Sequence, residues 1–537
     1  MKSLQKYLLL LLILAAFAWR VQGVTNQSLW RDEIDAIYFA LRDLPATLGM
    51  FVQMAQNGPL YFLTLRLWFY VAGATPFALR YLSVVAGTVA IPLTWLVARR
   101  ILRGNVAAVD ESPRTRWLAL GAVLLLAINP YQLWYGQEGK MYTLITALAL
   151  LAHWFWLKGI SGTGWRPWLG YFVTVSLALY SHLLMIILIP LHMVWFLLAW
   201  SQSRRQWRGY LVALAGLTLP YLPFVWWQWG MLTSAEKLTG FTFVPLTEIF
   251  RTLLWNHSYG LLPPAPWLRL TPIFFLGLVG LLLGADVLAA RVGAAAGKDG
   301  GAESFPFSHR QEDLATRLRP WQRYSLILAW LFFPIIAIYL LSLRQPVYTD
   351  RYVIWIAPAA MLVLVLGLCA LYQNAGLLGK PLTALFLLYL VIFWLYVGWE
   401  QKTTTLKYDL RSAVTYVAQK RDPATLLILQ IPHMEYAYRY YTSDFSPSLW
   451  TESDAHLGKW VGGLWTNGGE ADEQANAIVA QEMEELTAGH TELWLLSSEV
   501  EMWDNRHLMD GWLNAHAEVM ESADFHGAQV RHYILNQ

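Results

Sequence analysis

Apolar residues along this chain come in long unbroken runs, separated by short clusters of charge, glycine and proline. Runs of roughly 17–22 residues have the length that lets a helix cross a bilayer. The first is LLLLLILAAFAW, ending at Trp19, and others cover 77–98, 117–135, 141–157, 168–180, 183–200, 209–227, 267–290, 324–343, 352–372 and 381–399. The pattern predicts about eleven transmembrane helices, with the short run 168–180 extending in both directions. One piece does not fit. PLYFLTLRLWFYVAG, from Pro59 to Gly73, is short and carries Arg66 near its middle, so it reads as a helix lying in or against the outer leaflet.

From Glu400 the periodicity changes. KYDLRSAVTYVAQKRD spaces its apolar residues as an amphipathic helix, and TLLILQI (Thr425–Ile431) reads as a buried strand closed by Pro432. HMEYAYRYY and EADEQANAIVAQEMEEL read as helices, ELWLLSSEV and VRHYIL as strands. The expected architecture is mainly α: a polytopic membrane domain over 1–399 and a small extracytoplasmic α/β domain over 400–537. Outer loops over 24–58 and 228–266 and a linker over 291–323 interrupt the spans. No internal repeat and no phosphate-cradling glycine loop is visible.

Orientation follows from the Lys and Arg between spans. Three basic loops, Arg99–Arg116, Ser203–Arg208 and Arg291–Arg323, are expected in the cytoplasm, the last with a Gly/Ala-rich middle typical of a linker. Lys2 and Lys6 before the first apolar run resemble a signal peptide. That run is long, however, and no small-x-small cleavage site precedes Trp19–Arg20, so it is read as an uncleaved span with a cytoplasmic N-terminus. The expected location is the plasma (inner) membrane.

Composition agrees. Of 537 residues 56% are hydrophobic and only 14% charged, against about 25% charged in soluble proteins. The 29 Trp, 27 Tyr and 23 Phe suit rings seated at membrane–water interfaces. A net charge of +3 without a basic, aromatic-interleaved stripe excludes nucleic acid as a partner. Cys369 is the single cysteine, so an intrachain disulfide and a cysteine metal site are excluded.

The charged residues that remain converge on one face. SLWRDEIDAIYFALRDL places Asp32 and Glu33 just outside the first span; Asn57 and Arg80 flank the outer-leaflet helix on that side. NPYQLWYGQEGKMYTL sets Glu138, Lys140 and Tyr142 in an outer turn. His182 lies in the next outer turn, His257 in the long outer stretch, and QPVYTDRYVIWIAP brings Arg351 and Tyr352 to an outer helix end. Each has a bland explanation. Asp32 is a candidate helix N-cap, Glu138 and Lys140 suit a solvated turn, and Arg351–Tyr352 suits an interfacial anchor. His182 and His257 suit turn residues bonded to backbone, and Arg80 suits a helix-holding ion pair. The convergence is what these explanations omit, because charges at membrane depth cost several kcal/mol and mark function by default. Cations at the mouth of a lipid-facing cavity suit a lipid-linked phosphate, and a carboxylate suits a general base for an acceptor hydroxyl. Adjacent Asp and Glu point about 100° apart on a helix, so one acts on the acceptor while the other pairs with a cation or orients the loop. No motif in the sequence specifies a cofactor. A divalent metal on Glu33, His182 or His257 fits the residue types, but no spacing is specific for one.

SLWRDE, NGPLYFLTLRLW, GATPFALRYLSVVAGTVAIPL, NPYQLWYGQEGKMYTL, YSHLLMIILIPLH, DRYVIWIAP and KYDLRSAVTYVAQ occur in this order. Together they resemble the GT-C fold membrane glycosyltransferases of the protein O-mannosyltransferase and lipid A aminoarabinose transferase superfamily (glycosyltransferase family 39-like). The resemblance implies a polyprenyl-phosphate-linked sugar donor and inverting transfer on the outer face to a protein, glycolipid or polysaccharide acceptor. By resemblance Asp32 is the base and Glu33 supports it, while Arg351 and Tyr352 match an Arg-Tyr pair near the lipid phosphate. Lys140 stands where relatives often carry Arg, with Arg80 and Tyr142 as further donor contacts. Glu138, His182, His257 and Asn57 are candidate substrate or metal contacts. Asn57-Gly58-Pro59 departs from the His-Pro-Pro of many relatives.

Two other classes stay open. A transporter or flippase of a lipid-linked substrate needs polar groups near the midplane and usually broken helices or repeats; here the span centres are nearly free of charge. A C-terminal binding module on a membrane anchor would need neither eleven spans nor an outward charge cluster.

Overall fold

The computed structural model describes residues 2–50, 52, 57–103, 113–234, 241–263, 318–374, 376–430, 432–442 and 472–536. Among these, six helices are long and apolar enough to cross a membrane, or up to eight if each of two bent pairs is one span. The protein is a multi-pass membrane protein. The span expected at 267–290 and most of the linker expected at 291–323 lie outside the described residues, and the described ones do not reach the eleven spans expected.

The chain divides into two units. The first comprises Met1–Gln22, Leu48–Tyr61 and Arg80–Gln401. Its helices follow the apolar runs: Pro76–Arg103, Tyr142–Ile160, Arg166–Ser181, Pro320–Ser342 and Ala357–Asn374. Two of the runs are divided at prolines, whereas Pro92 and Pro334 lie inside unbroken helices. The run 209–227 becomes Trp207–Thr218, a 3-10 turn Leu219–Tyr221 and Leu222–Thr233, broken at Pro220 and Pro223, since proline removes a helical N–H and crowds the preceding turn. The run 117–135 breaks between Pro113–Ile128 and Pro130–Gly136 with a bend of 58°.

That break is stabilised residue by residue. Asn129 caps the short second helix, its side-chain oxygen accepting from the Gln132 N–H at 3.1 Å, and its Nδ2 donates to the His257 carbonyl at 2.9 Å. Gln132 Nε2 donates to the Ile354 carbonyl at 3.0 Å, and Gln401 Nε2 to the Pro130 carbonyl at 3.0 Å. Arg20 donates to the Ala127 and Leu126 carbonyls at 3.0 and 3.4 Å, filling acceptors that the ended helix leaves open.

Deeper in this unit, three helices are tied by a buried polar triplet inside tryptophan walls. His153 Nδ1 and His192 Nε2 lie 2.8 Å apart, and the Tyr171 hydroxyl is 3.1 Å from His192 Nδ1. Trp195 and Trp330 rings pack on His153 at 4.8 and 4.4 Å.

The second unit comprises Gly23–Thr47, Phe62–Leu79 and Lys402–Gln537. Its sheet has the order β1-β2-β4-β3, with β1 Leu426–Leu429, β2 Glu492–Ser498, β3 Ala517–Phe525 and β4 Ala528–Leu535. β1 and β2 are parallel; β2–β4 and β4–β3 are antiparallel, with a bulge at Val519/Glu521. Ile428, Leu493, Leu495 and Tyr533 of the sheet bury against Val479, Met483 and Leu513 of its helices. β1, β2 and β4 are the strands the sequence signalled. β3 was not signalled, because it is an edge strand whose residues are mostly exposed and show no apolar face.

The segment after the first span packs within this unit. The Ser28 hydroxyl accepts from the Arg411 N–H at 3.1 Å, and the Leu29 N–H donates to the Tyr441 hydroxyl at 3.0 Å. Gln27 Nε2 donates to the Thr404 carbonyl at 2.6 Å while its oxygen accepts from the Leu406 N–H at 3.1 Å. The Tyr38 and Tyr436 rings stack at 4.2 Å.

Asn129→Ala removes the cap and leaves the buried His257 carbonyl without that donor. The expected loss is about 1–3 kcal/mol of stability, read as a lowered unfolding midpoint in detergent, with Asn129→Asp losing less because it retains the cap acceptor.

Candidate active site

Helix Arg31–Leu41 carries the Asp-Glu pair. Its N-cap is Trp30, without a side-chain cap bond, so Asp32 sits inside the first turn rather than capping it. Both acids face the positive end of the helix dipole, a favourable place for carboxylates. Their environments differ sharply. Glu33 is 0% exposed, and its Oε2 accepts from Lys407 Nζ at 2.9 Å. Asp32, one residue away, stays partly exposed. Arg31, on its other side, pairs with Glu499 at 3.2 Å. The end of the same helix is held by Arg66, whose Nη1 donates to the Arg42 carbonyl at 2.6 Å.

The first unit brings a different set together. Asp350 is an anchor: its Oδ2 accepts from Tyr135 at 3.0 Å and Asn256 Nδ2 at 2.7 Å, and its carbonyl accepts from Tyr131 at 2.7 Å. This fixes the 3-10 turn Asp350–Ile356 that presents Arg351 and Tyr352. The Arg351 guanidinium lies 5.9 Å over the Tyr142 ring, and the Tyr352 ring is 4.5 Å from His182 and 6.4 Å from Tyr142. His182 caps the next turn, Nδ1 accepting from the Leu184 N–H at 3.3 Å. Burial, with the charges of Arg351 and Lys140, pushes its pKa down to about 3, so it is neutral near pH 7. Lys140, Tyr142, His182, Arg351 and Tyr352 therefore form one cluster. Two cations beside tyrosine hydroxyls and a neutral imidazole suit an anion that also offers oxygens to hydrogen-bond.

Other expected residues lie nearby or apart. Asn57 Oδ1 accepts from the Leu183 N–H at 3.3 Å, beside His182, and any Cβ at Gly58 would collide with the Tyr180 carbonyl. Glu138 is buried in the turn before Lys140, its carbonyl accepting the Lys140 N–H at 2.8 Å. Arg80 is buried in the first turn of Pro76–Arg103. His257 is held on the broken-helix side, its ring 5.0 Å from Tyr131, and burial lowers its pKa to about 4. Among the described residues no three His, Cys, Asp or Glu side chains come together as a metal site. Tyr131, Tyr135 and Lys407 were not among the sequence candidates, and Asp350 was placed on the outer face without a role. The tyrosines were visible only as part of NPYQLWYG, and Lys407 pairs with a residue 374 positions away.

The architecture is the GT-C fold of membrane glycosyltransferases. It matches ArnT from Cupriavidus metallidurans bound to undecaprenyl phosphate with a TM-score of 0.52, 14% identity and 97% of each chain covered. The apo state of that protein matches with a TM-score of 0.45 and 13% identity, again over 97% of each chain. Residues 56–229 match the family described as dolichyl-phosphate-mannose-protein mannosyltransferase. No curated protein matches the chain by sequence. The family match and the fold together support a glycosyltransferase.

Lys407→Met removes the ammonium paired with buried Glu33 and is expected to destabilise the protein by about 3–5 kcal/mol. The double variant Lys407→Met/Glu33→Leu should recover much of that loss, as measured by denaturant unfolding of the purified full-length protein.

Proposed function

We propose that this chain is an integral-membrane glycosyltransferase that moves a sugar from a polyprenyl-phosphate donor to an acceptor hydroxyl, with inversion, on the extracytoplasmic face. The observation that carries this reading is the cluster of Lys140 and Arg351 with Tyr142, Tyr352 and neutral His182. It offers charge and hydrogen bonds to a lipid-linked phosphate, the type of ligand present in the ArnT structure. Lys140 supplies charge without the bidentate fork that an arginine would give. Asn57 and Glu138, beside the cluster, are assigned to substrate contact, with Arg80 as a further donor contact. His257, neutral and apart, is a substrate contact at most through the broken helix.

Asp32 is assigned as the base, because Glu33 is committed to Lys407 while Asp32 keeps solvent access. In the reaction, Asp32 takes the acceptor O–H proton, and the acceptor oxygen bonds to the anomeric carbon from the face opposite the phosphate. The carbon–phosphate-oxygen bond breaks, and its electron pair leaves with the polyprenyl phosphate. Glu33 holds the helix turn that carries Asp32. The assignment extends to the cell envelope: a transmembrane catalytic domain over 1–399 in the plasma membrane, N-terminus inside, and an extracytoplasmic domain over 400–537 that positions the acceptor.

Asp32→Asn is expected to lower transfer by about 10²–10⁴-fold and leave donor binding intact. Transfer from a panel of radiolabelled polyprenyl-phosphate sugars in membranes reads this, and full activity in the variant removes Asp32 as the base. Lys140→Ala and Arg351→Ala should each weaken donor binding by about tenfold or more, the scale of one hydrogen bond to a charged group; unchanged affinity in both removes the phosphate assignment.

A further inference from the structure

The first unit contains a cavity of about 580 Å³ that the transfer reading does not use. It lies between helices Arg166–Ser181 and Trp207–Thr218 and is walled by Trp168, Leu169, Phe172, Val212 and Ala213. Its volume falls in the range of about 300–1,000 Å³ usual for small-molecule sites. The close approach of the two helices depends on glycine. A Cβ at Gly209 would collide with the Trp168 indole, and one at Gly216 would come within 3.2 Å of the Phe172 ring. The mouth is apolar too: Trp165 is 68% exposed and Val212 72%, an arrangement suited to contact with acyl chains rather than water.

One end of the cavity is different. Gln206 and Arg208 line it, Arg204 and Arg205 precede them in the same turn, and Arg166 opens the facing helix. The surrounding sequence is poor in acidic residues. Between Glu138 and Glu236 there is no Asp or Glu, while Lys140, Lys158, Arg166, Arg204, Arg205 and Arg208 all fall there. The basic end also lies far from the candidate site. The cavity meets the first half of helix Arg166–Ser181 and His182 caps its other end, and the 16 residues between span about 24 Å. The two sites therefore lie toward opposite ends of that helix.

We propose that this cavity binds an anionic glycerophospholipid of the leaflet opposite the candidate site. An acyl chain lies between the two helices, the headgroup phosphate meets Arg208 and Arg204, and the Gln206 amide donates to an ester or phosphate oxygen. Basic pockets between membrane helices take anionic headgroups in this way, and the indoles of Trp165 and Trp168 sit at the depth that aromatic residues favour. The lipid acts as a fixed structural ligand, so the inference stands whether or not the transfer reading does.

The test uses full-length protein in mild detergent, exchanged with equal amounts of phosphatidylglycerol and phosphatidylcholine of the same acyl chains. Retained lipid is counted by native mass spectrometry. Phosphatidylglycerol should be retained over phosphatidylcholine by about tenfold, the order expected when arginines meet an anionic headgroup at a bilayer surface. Arg204→Gln/Arg208→Gln should bring the two lipids to parity. Val212→Trp, which fills the mouth, should reduce retention of both, and Lys380→Gln, an exposed charge on another helix, should leave the preference as in the parent. Parity in the parent, an undiminished preference in Arg204→Gln/Arg208→Gln, or equal loss in Lys380→Gln overturns the proposal. So does complete displacement of phosphatidylglycerol by an equal concentration of undecaprenyl phosphate, which would make the occupant a carrier lipid.

Discussion

The helix break at Asn129–Pro130 organises the first unit. In lipid a backbone group released from a helix has no water to turn to, so a break persists only where protein groups take over its bonds. Here several groups at the break have named partners. Arg20 reaches the carbonyls of Ala127 and Leu126 from the first helix, and Gln401 takes that of Pro130. The space for Arg20 is itself encoded: a Cβ at Gly87 or Gly136 would come within 3.2 or 3.3 Å of its Nε. The short helix beyond the break then turns Tyr131, Gln132 and Tyr135 toward the segment Asp350–Ile356.

From this follows the position of the cation cluster. Arg351 and Tyr352 sit beside Asp350, and Asp350 is held by two tyrosines and an asparagine rather than by a cation. The neutral donors fix the Asp350 carboxylate and with it the turn that carries Arg351. His182, kept neutral by burial and by Arg351 and Lys140, adds no third positive charge. The cluster thus carries two cationic side chains beside a neutral imidazole, groups that suit an anionic ligand.

How much of this the sequence disclosed depended on the range of the interaction. Run length located the helices Pro76–Arg103, Tyr142–Ile160 and Arg166–Ser181, because crossing a bilayer is a one-dimensional requirement. It passed over the break, since the apolar run 117–135 continues through Asn129–Pro130 and only that dipeptide signals the bend. Sidedness put Lys140, Tyr142, His182, Arg351 and Tyr352 in one larger candidate set, and the structure groups those five. Tyr135 escaped because its importance lies in its bond to Asp350, 215 positions away. The His153–His192–Tyr171 triplet escaped for a similar reason: single polar residues in apolar runs look like packing until their partners are known.

The Asp-Glu pair shows what helix geometry does with two identical charges. A turn of about 100° per residue sends Glu33 inward to Lys407 and leaves Asp32 at the surface. Asp32 is then bracketed, because Arg31 before it pairs with Glu499 and Glu33 after it pairs with Lys407. Glu499 holds its place at a cost, with a left-handed backbone (φ 54°) that disfavours a non-glycine residue by about 1–2 kcal/mol. Strain of this kind survives where the surroundings over-determine a conformation, and it clusters at functional sites. The residues on both sides of Asp32 are therefore tied to the C-terminal segment. A change that loosens that segment reaches the carboxylate even if every atom of helix Arg31–Leu41 is left alone.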